Sequence, residues 1–300
     1  MEKIEGKEDT AAAVIYKLLR SPKSEQLSLE YADDILGAVA LLGEVRTHRL
    51  SSMLSAYLGE DNMLAVACKS RAAARVLEKL QMDGNMHCAS AFDILAAKLG
   101  ITINGRYLVI CIEDIRPYTG RVSSDPQRQL AFPGPTLSNR ETPPGFLGYA
   151  VNMIFLPADH LQFRTASGHG LRETLFYRLL GKLQVYESRE HLYMAYSCIE
   201  DGAISLDGGM MRGNGVVSVG SEKPYIVFPV IQLPLSPGKV KQIKDKKREL
   251  SQTQDEIEEE IRSSVKYKKK LVKKLKYKKQ IEDLVPPPGI LYNSHMDISG

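Results

Sequence analysis

The strongest constraint on the fold lies in Ala203-Ile204-Ser205-Leu206-Asp207-Gly208-Gly209, continued by Met210-Met211-Arg212-Gly213-Asn214-Gly215 and Val216-Val217-Ser218-Val219-Gly220-Ser221. Short apolar runs separated by Asp-Gly and Gly-Asn-Gly predict strand, turn, strand, turn, strand, because Gly, Asn and Asp tolerate the positive φ of tight hairpins. These glycines do not form a nucleotide loop. Such a loop opens a helix and carries Gly-x-x-x-x-Gly-Lys-Ser/Thr or Gly-x-Gly-x-x-Gly, whereas strand-forming Val216 to Val219 follow here. The run therefore points to backbone geometry and sheet contacts rather than to a reaction.

The 300 residues, 43% of them hydrophobic, suffice for one large domain or two modest ones. No apolar run reaches the roughly 20 residues that span a bilayer. The charged start, Glu2, Lys3, Glu5, Lys7 and Glu8, leaves no room for a secretory core, so an intracellular chain is expected. Cys68, Cys88, Cys111 and Cys198 stand singly, which suggests neither a zinc ribbon nor a redox pair; Cys111, within Leu108–Ile112, reads as a small buried hydrophobe.

Along the chain, residues 10–20 have helical spacing and Ser21-Pro22 stops them. Ile35, Val39 and Leu42 recur at intervals of three and four, predicting a second helix from near Ser28 to Gly43. Helix 50–57, strand 63–68, helix 71–80 and buried strand 107–112 follow, with 114–120 as the exit turn. Prolines 126, 133, 135, 143 and 144 make 121–145 a connector. A second half starts at residues 145–154, and a helix over 171–180 puts Leu171, Leu175 and Leu179 on a core face, with Arg172, Glu173 and Arg178 toward water. Strand 183–186 and helix 188–194 lead into the glycine-punctuated run.

Leu206-Asp207-Gly208, then Gly215, then Gly220 fall on the spacing that closes the hinge domain of structural maintenance of chromosomes (SMC) proteins, which this chain resembles over about 28–221. The resemblance implies an α+β fold: an SMC-hinge-like domain of two α/β halves, followed by a long coiled-coil helix. It also implies a homo-oligomer whose dimer edge carries Leu206, Asp207, Gly208, Gly215, Val219 and Gly220. Val219 replaces the first glycine of the family's pair, and a branched side chain there obstructs close backbone approach. Pro144–Gly148, Gly170–Tyr177 and Ser205–Gly209 resemble a narrower plant group, the Defective in Meristem Silencing protein and its gamma-irradiation- and mitomycin-C-induced hinge-containing relative. The expected organisation is an N-terminal helix and linker over 1–27, the hinge-like domain over 28–235 with halves at about 28–120 and 145–221, a basic coiled-coil helix over 238–285, and a disordered tail over 286–300.

From Lys239 to Asp283 there are 16 basic and 9 acidic residues, so positive charge gathers at one end although the whole chain carries only +4. Val240, Ile243, Leu250, Ile257, Ile261, Leu271 and Leu275 keep a three/four register, interrupted by Lys247, Gln254, Ser264 and Lys268. Such a helix, about 68 Å long, needs a partner for its stripe: residues 10–20, another copy or a different protein. Its Lys266, Lys268, Lys269, Lys270, Lys273, Lys274 and Lys276 form a candidate nucleic-acid contact, salt-sensitive and indifferent to sequence, with Tyr267 and Tyr277 available for stacking. The plain alternative is a solvated coiled-coil face with snorkelling lysines.

Ser167-Gly168-His169-Gly170 lacks the Gly-x-Ser-x-Gly elbow and reads as a loop entering the next helix; Asp207 reads as a turn residue; His87-Cys88 lacks further metal ligands. No catalytic, cofactor-binding or metal residue is assigned. The resemblance implies a noncatalytic scaffold in the nucleus. It would self-associate through the hinge, recruit chromatin proteins through the coiled coil, and serve RNA-directed DNA methylation and gene silencing. The alternative it leaves open is a hinge-containing DNA-binding factor in double-strand-break repair and chromosome organisation, a fragment of a larger ATPase protein.

Overall fold

In the computed structural model, one strand pattern occurs twice. Strands β1 (Ile35–Ala38) and β4 (Phe146–Tyr149) read Ile-Leu-Gly-Ala and Phe-Leu-Gly-Tyr. Each pairs antiparallel with a second strand, β2 (Val66–Cys68) or β5 (Gln184–Tyr186), and each slips register at its leucine. The glycines that follow, Gly37 and Gly148, have φ of 119° and 138°, a region that side chains bearing Cβ rarely adopt. A third strand, β3 (Val109–Cys111) or β6 (Gly202–Ser205), then joins parallel to the second. The first sheet ends there in the order β1-β2-β3, while the second gains β7 (Met210–Arg212) and β8 (Val217–Ser218) in the order β4-β5-β6-β7-β8. The structure describes residues 2–7, 9–20, 29–77, 91–213, 215–218, 223–231 and 237–284.

The expected helix between Ser28 and Gly43 is not formed. Ile35–Ala38 is a strand between two 3-10 turns, Ala32–Asp34 and Val39–Leu41. The three/four spacing of Ile35, Val39 and Leu42 arises because a buried strand runs directly into a tight turn, and Gly37 at positive φ forbids a continuous helix.

The short helices α1 (Glu2–Glu5) and α2 (Ala11–Arg20) open the chain. Thr10 Oγ1 accepts from the Ala13 N–H at the start of α2. Ala11, Ala12, Ala13, Val14 and Ile15 are all buried, the small side chains admitting the helix close to the first sheet. Residues 11–16 of this N-terminal helix thus pack into the core. Helices α3 (His48–Leu58) and α4 (Glu60–Met63) precede β2; α5 (Arg71–Leu77) and α6 (Ala91–Lys98) precede β3. The sequence reading carried α5 on to Leu80, beyond the described residues, and did not anticipate α6. Thr47 caps α3 by accepting from the Leu50 N–H, and Gly59 ends it at φ 80°. In the second half, α7 (Ala150–Met153), α8 (Ala158–Gln162), α9 (Tyr177–Leu180) and α10 (Arg189–Met194) alternate with the strands.

One hydrophobic cluster joins the halves: Val39, Leu42, Leu54 and Met63 pack with Ile154, Leu175, Phe176 and Ile204. Two reciprocal backbone bonds, Glu44 N–H to Phe155 O and Phe155 N–H to Glu44 O, tie them at 2.8 and 2.7 Å. Gly43 lies at this seam, where a Cβ would come within 2.4 Å of Ile154 Cγ2. The returning segment 223–231 anchors on the first half: Val45 N–H donates to Pro229 O, Ile231 N–H to Val45 O, and Ser51 Oγ to Phe228 O.

Arg172 and Glu173 do not face water; each is 1% exposed. Residues Arg172–Phe176 form a π-helical turn before α9, and the connector lies over it. Arg172 Nε donates to Gln127 O at 2.9 Å, Nη2 to Ile154 O at 2.7 Å and to Gln127 Oε1 at 3.0 Å, and Nη1 to Val151 O. Burial pulls its pKa down to about 10, against the opposing influence of Asp125 and Glu173. Glu173 pairs with Arg128 of the connector at 2.5 Å and accepts the Gly170 N–H. Asn152 adds a two-way clamp on Leu130 through its Nδ2 and Oδ1. The connector is irregular, as its prolines imply, yet fixed by polar side chains.

Helix α11 (Pro237–Leu284) stands in a second compact unit, the division falling between residues 232 and 233. Its 48 residues correspond to about 72 Å. The proposed tail, 286–300, lies outside the described residues.

Candidate functional site

Hairpin pairing in β6–β8 follows from the glycine-punctuated sequence. Ala203 faces Met211 and Ile204 faces Met210; Met211 then faces Val217 and Met210 faces Ser218. The first turn is closed by polar contacts: Ser205 Oγ donates to Asp207 Oδ1 at 2.6 Å, and the Gly209 N–H donates to Ser205 Oγ at 2.8 Å. Asp207 Oδ2 also accepts the Arg189 N–H at the start of α10. Burial raises the Asp207 pKa, but the bonds from Ser205 and the Arg189 amide outweigh it and hold the carboxyl below its ordinary value. Asp207 therefore locks the turn to α10, a structural duty in keeping with its sequence reading.

Gly208 has φ 103° and Gly215 φ 77°, both accessible to glycine at little cost. They close opposite ends of β7, a strand of three residues. Leu206 is half-buried and packs against the main core. Val219 and Gly220 lie outside the described residues.

β8 is one of the two edge strands of this sheet, β4 being the other. Val217 and Ser218 are exposed at its last position, and Val216 is 52% exposed. Beside them, α10 and the turn after it present Tyr193, Met194 and Tyr196, each more than half exposed. A small cleft lined by Leu192, Tyr193, Met210 and Val217 joins helix to strand. A Cβ on Gly215 would stand 3.6 Å from the Tyr196 hydroxyl, which places the tyrosine over the second turn. An exposed strand edge flanked by large apolar side chains is built for association. These three flanking residues escaped the sequence reading. Their signal was adjacency: Leu192 is buried, and helical neighbours Tyr193 and Met194 cannot share its inward direction.

Ser167 Oγ and His169 Nδ1 are 3.0 Å apart in an exposed loop. Among the described residues, no group of three or more His, Cys, Asp or Glu side chains is arranged to hold a metal ion. His87 and Cys88 lie outside those residues. Cys111 is half-buried on β3 rather than fully enclosed, directly in register with Cys68. Lys266, Lys268, Lys269, Lys270, Lys273, Lys274 and Lys276 are all exposed on α11, as are Ile257, Ile261, Leu271 and Leu275. No described helix is long and apolar enough to cross a membrane.

No family model matches the chain. It is 42% identical over 272 residues to the structural maintenance of chromosomes flexible hinge domain-containing protein GMI1 of Arabidopsis thaliana, across 88% of this chain and 16% of that protein. The chain is related to the SMC-hinge proteins. Similar solved structures include an asymmetric dimer of the Geobacillus stearothermophilus SMC hinge domain, 18% identical over 64% of this chain and 62% of that one, with a TM-score of 0.40. The Pyrococcus furiosus Smc hinge domain with an extended coiled coil is 15% identical over 93% of this chain and 81% of that one, with a TM-score of 0.38. The relationship rests on the sequence match, and the described architecture is α+β with a long helix, α11, in a unit of its own.

Proposed function

We propose that this hinge-like chain is a noncatalytic scaffold that self-associates through the β8 edge and assembles a nuclear chromatin complex. The observation that carries the reading is the exposed edge formed by Val216 and Val217 and flanked by Tyr193, Met194 and Tyr196. Pairing two such edges would extend the backbone ladder and remove apolar surface from water together. On α11, exposed Ile257, Ile261, Leu271 and Leu275 supply a second contact for a partner helix. Two weak contacts on one chain raise effective concentration, which is how a scaffold without chemistry gathers a complex. The resemblance to the plant silencing group favours RNA-directed DNA methylation and gene silencing; chromosome organisation and DNA repair, implied by the resemblance to the irradiation-induced relative, stay as the alternative setting.

The experiment is light scattering of the full chain beside Val217→Glu. Glutamate fits an exposed strand residue without the strain that a side chain at Gly215 would suffer. The variant is expected to fall to monomer mass with an unchanged circular dichroism spectrum. Equal masses for the two folded chains would overturn association through β8.

The exposed lysines of α11 favour a second, compatible role: sequence-independent contact with nucleic-acid backbones. Fluorescence titration with duplex and single-stranded oligonucleotides is expected to show affinity falling steeply between low and high salt. Replacing Lys269, Lys273 and Lys276 by glutamine should flatten that slope. Affinity indifferent to salt would remove the lysine run from the account.

A further inference from the structure

The repeat that matches β1 with β4 extends to the cleft beside each strand. Leu36, Gly37, Ala38, Leu41 and Leu42 line the first. Leu147, Gly148, Tyr149, Asn152 and Met153 stand at the same places after the matching register slip, and they line the second. The opposite half walls each cleft in the same way, with His160 of α8 in the first and Thr47 and Leu50 at the start of α3 in the second. Glu44 and Phe155, whose backbones bond reciprocally, hold equivalent positions too, so the halves meet about an approximate twofold axis.

The two clefts differ in what covers them. Over the first lies α2, whose Ile15, Tyr16 and Leu19 fall at i, i+1 and i+4 on one helix face and line it. Leu19 Cδ1 stands 3.6 Å from where a Cβ on Gly37 would be, and Ile35, Gly37 and Ala38 are all buried. With α2 in place the first cleft measures about 300 Å³. The chain that reaches β4 is the connector instead, and Gln129 is its one contribution to the second cleft among the described residues. No residue of β4 is buried, Leu147 is 44% exposed, and the second cleft measures about 490 Å³. A Cβ on Gly148 would meet Met153 Cε of its own half at 3.5 Å and nothing from an overlying element.

Charge separates the clefts as well. Arg20 of α2 lines the first. At the second, Arg46 lies with its guanidinium 4.8 Å from the Phe155 ring centre, and no Asp or Glu lines the cleft among the described residues. A helix seated there as α2 is seated would bring a second cation beside Arg46 if it kept an arginine at i+5, whereas a carboxylate at that place complements the site.

We infer that the cleft between β4 and the start of α3 is a docking site for an amphipathic helix of a partner protein, with apolar residues at i, i+1 and i+4 and a carboxylate at i+5. In a second copy, α2 already has its own apolar residues turned into its own first cleft, so the occupant belongs to a different protein. The lining takes no residue from β7 or β8, and the assignment does not depend on the self-association reading.

The test is fluorescence anisotropy of the full chain with a labelled, alanine- and glutamine-based helical peptide that bears Ile, Tyr, Leu and Glu at the spacing of Ile15, Tyr16, Leu19 and Arg20. It is compared with the same peptide carrying arginine for glutamate, and with one interrupted by a central proline. Leu147→Asp and Arg46→Glu, both on exposed side chains, are the chain variants, and circular dichroism checks their folding. The glutamate peptide is expected to bind the parent chain, and about tenfold more weakly to either variant. The arginine peptide is expected to recover binding on Arg46→Glu. Failure of the glutamate peptide to bind the parent overturns the inference, as does equal binding of the proline-interrupted peptide, unchanged affinity in Leu147→Asp, or no recovery across the charge swap. A lower light-scattering mass for Leu147→Asp than for the parent would assign the cleft to a second copy and likewise overturn it. Val217→Glu should leave peptide binding unchanged; a loss there would tie the cleft to β8 and sink the assignment.

Discussion

Arg172→Leu is expected to lower the unfolding free energy by about 3–5 kcal/mol, because it strips hydrogen bonds at once from three backbone acceptors, one in the connector and two in α7 and its end. Gln127, Val151 and Ile154 each offer a carbonyl to this one guanidinium. Leucine fills much of the volume but donates to none of them. Arg172→Lys should recover little, since a single ammonium cannot reproduce the planar fork that reaches in three directions. Urea unfolding followed by circular dichroism checks both variants. The expected result is a lower midpoint with an unchanged slope, and a loss under about 1 kcal/mol for Arg172→Leu would show that the connector is held by other means. Arg178→Leu, on the exposed side of the same helical region, is the control and should stay within about 0.5 kcal/mol of the parent.

The second large effect is expected at Gly43. An added Cβ would meet Ile154 Cγ2 at 2.4 Å and Phe176 Cζ at 3.1 Å, both in the core that joins the halves. Gly43→Ala is therefore expected to cost about 1–3 kcal/mol through overpacking. Ile154→Ala in the same chain would remove Cγ2, the atom that crowds the added methyl group, so the double variant should be more stable than the two single losses summed. Thermal or urea unfolding of the four chains forms a double-mutant cycle. Strict additivity would mean that the seam relaxes elsewhere and that Gly43 is not a packing constraint.

These two positions also mark where sequence reasoning stopped. Turns were legible because their physics is local: Asp207-Gly208 and Gly215 tolerate the required φ. The burial of Arg172 was not legible, because its partner Gln127 is 45 residues away and helical periodicity alone turns an arginine outward. The π-helical turn further shifts which side chains share a face. At Gly43 the missing information was again nonlocal, since nothing near it in sequence announces Ile154. β1 failed differently: a strand followed by a 3-10 turn reproduced helical spacing. The candidate edge was half legible. Its hairpins were readable from glycine punctuation, whereas the apolar flank from α10 depends on how that helix is seated.

The return of 223–231 onto the first half has a mechanical consequence. Tension entering the compact unit from the side of residue 232 would meet Ile231 and Pro229 on Val45, and Phe228 on Ser51, before it met either sheet. That short seam is more than its hydrogen bonds, because Ile226 and Phe228 on the same segment are buried in the core that joins the halves. Drawing the segment away would therefore open that shared core as well.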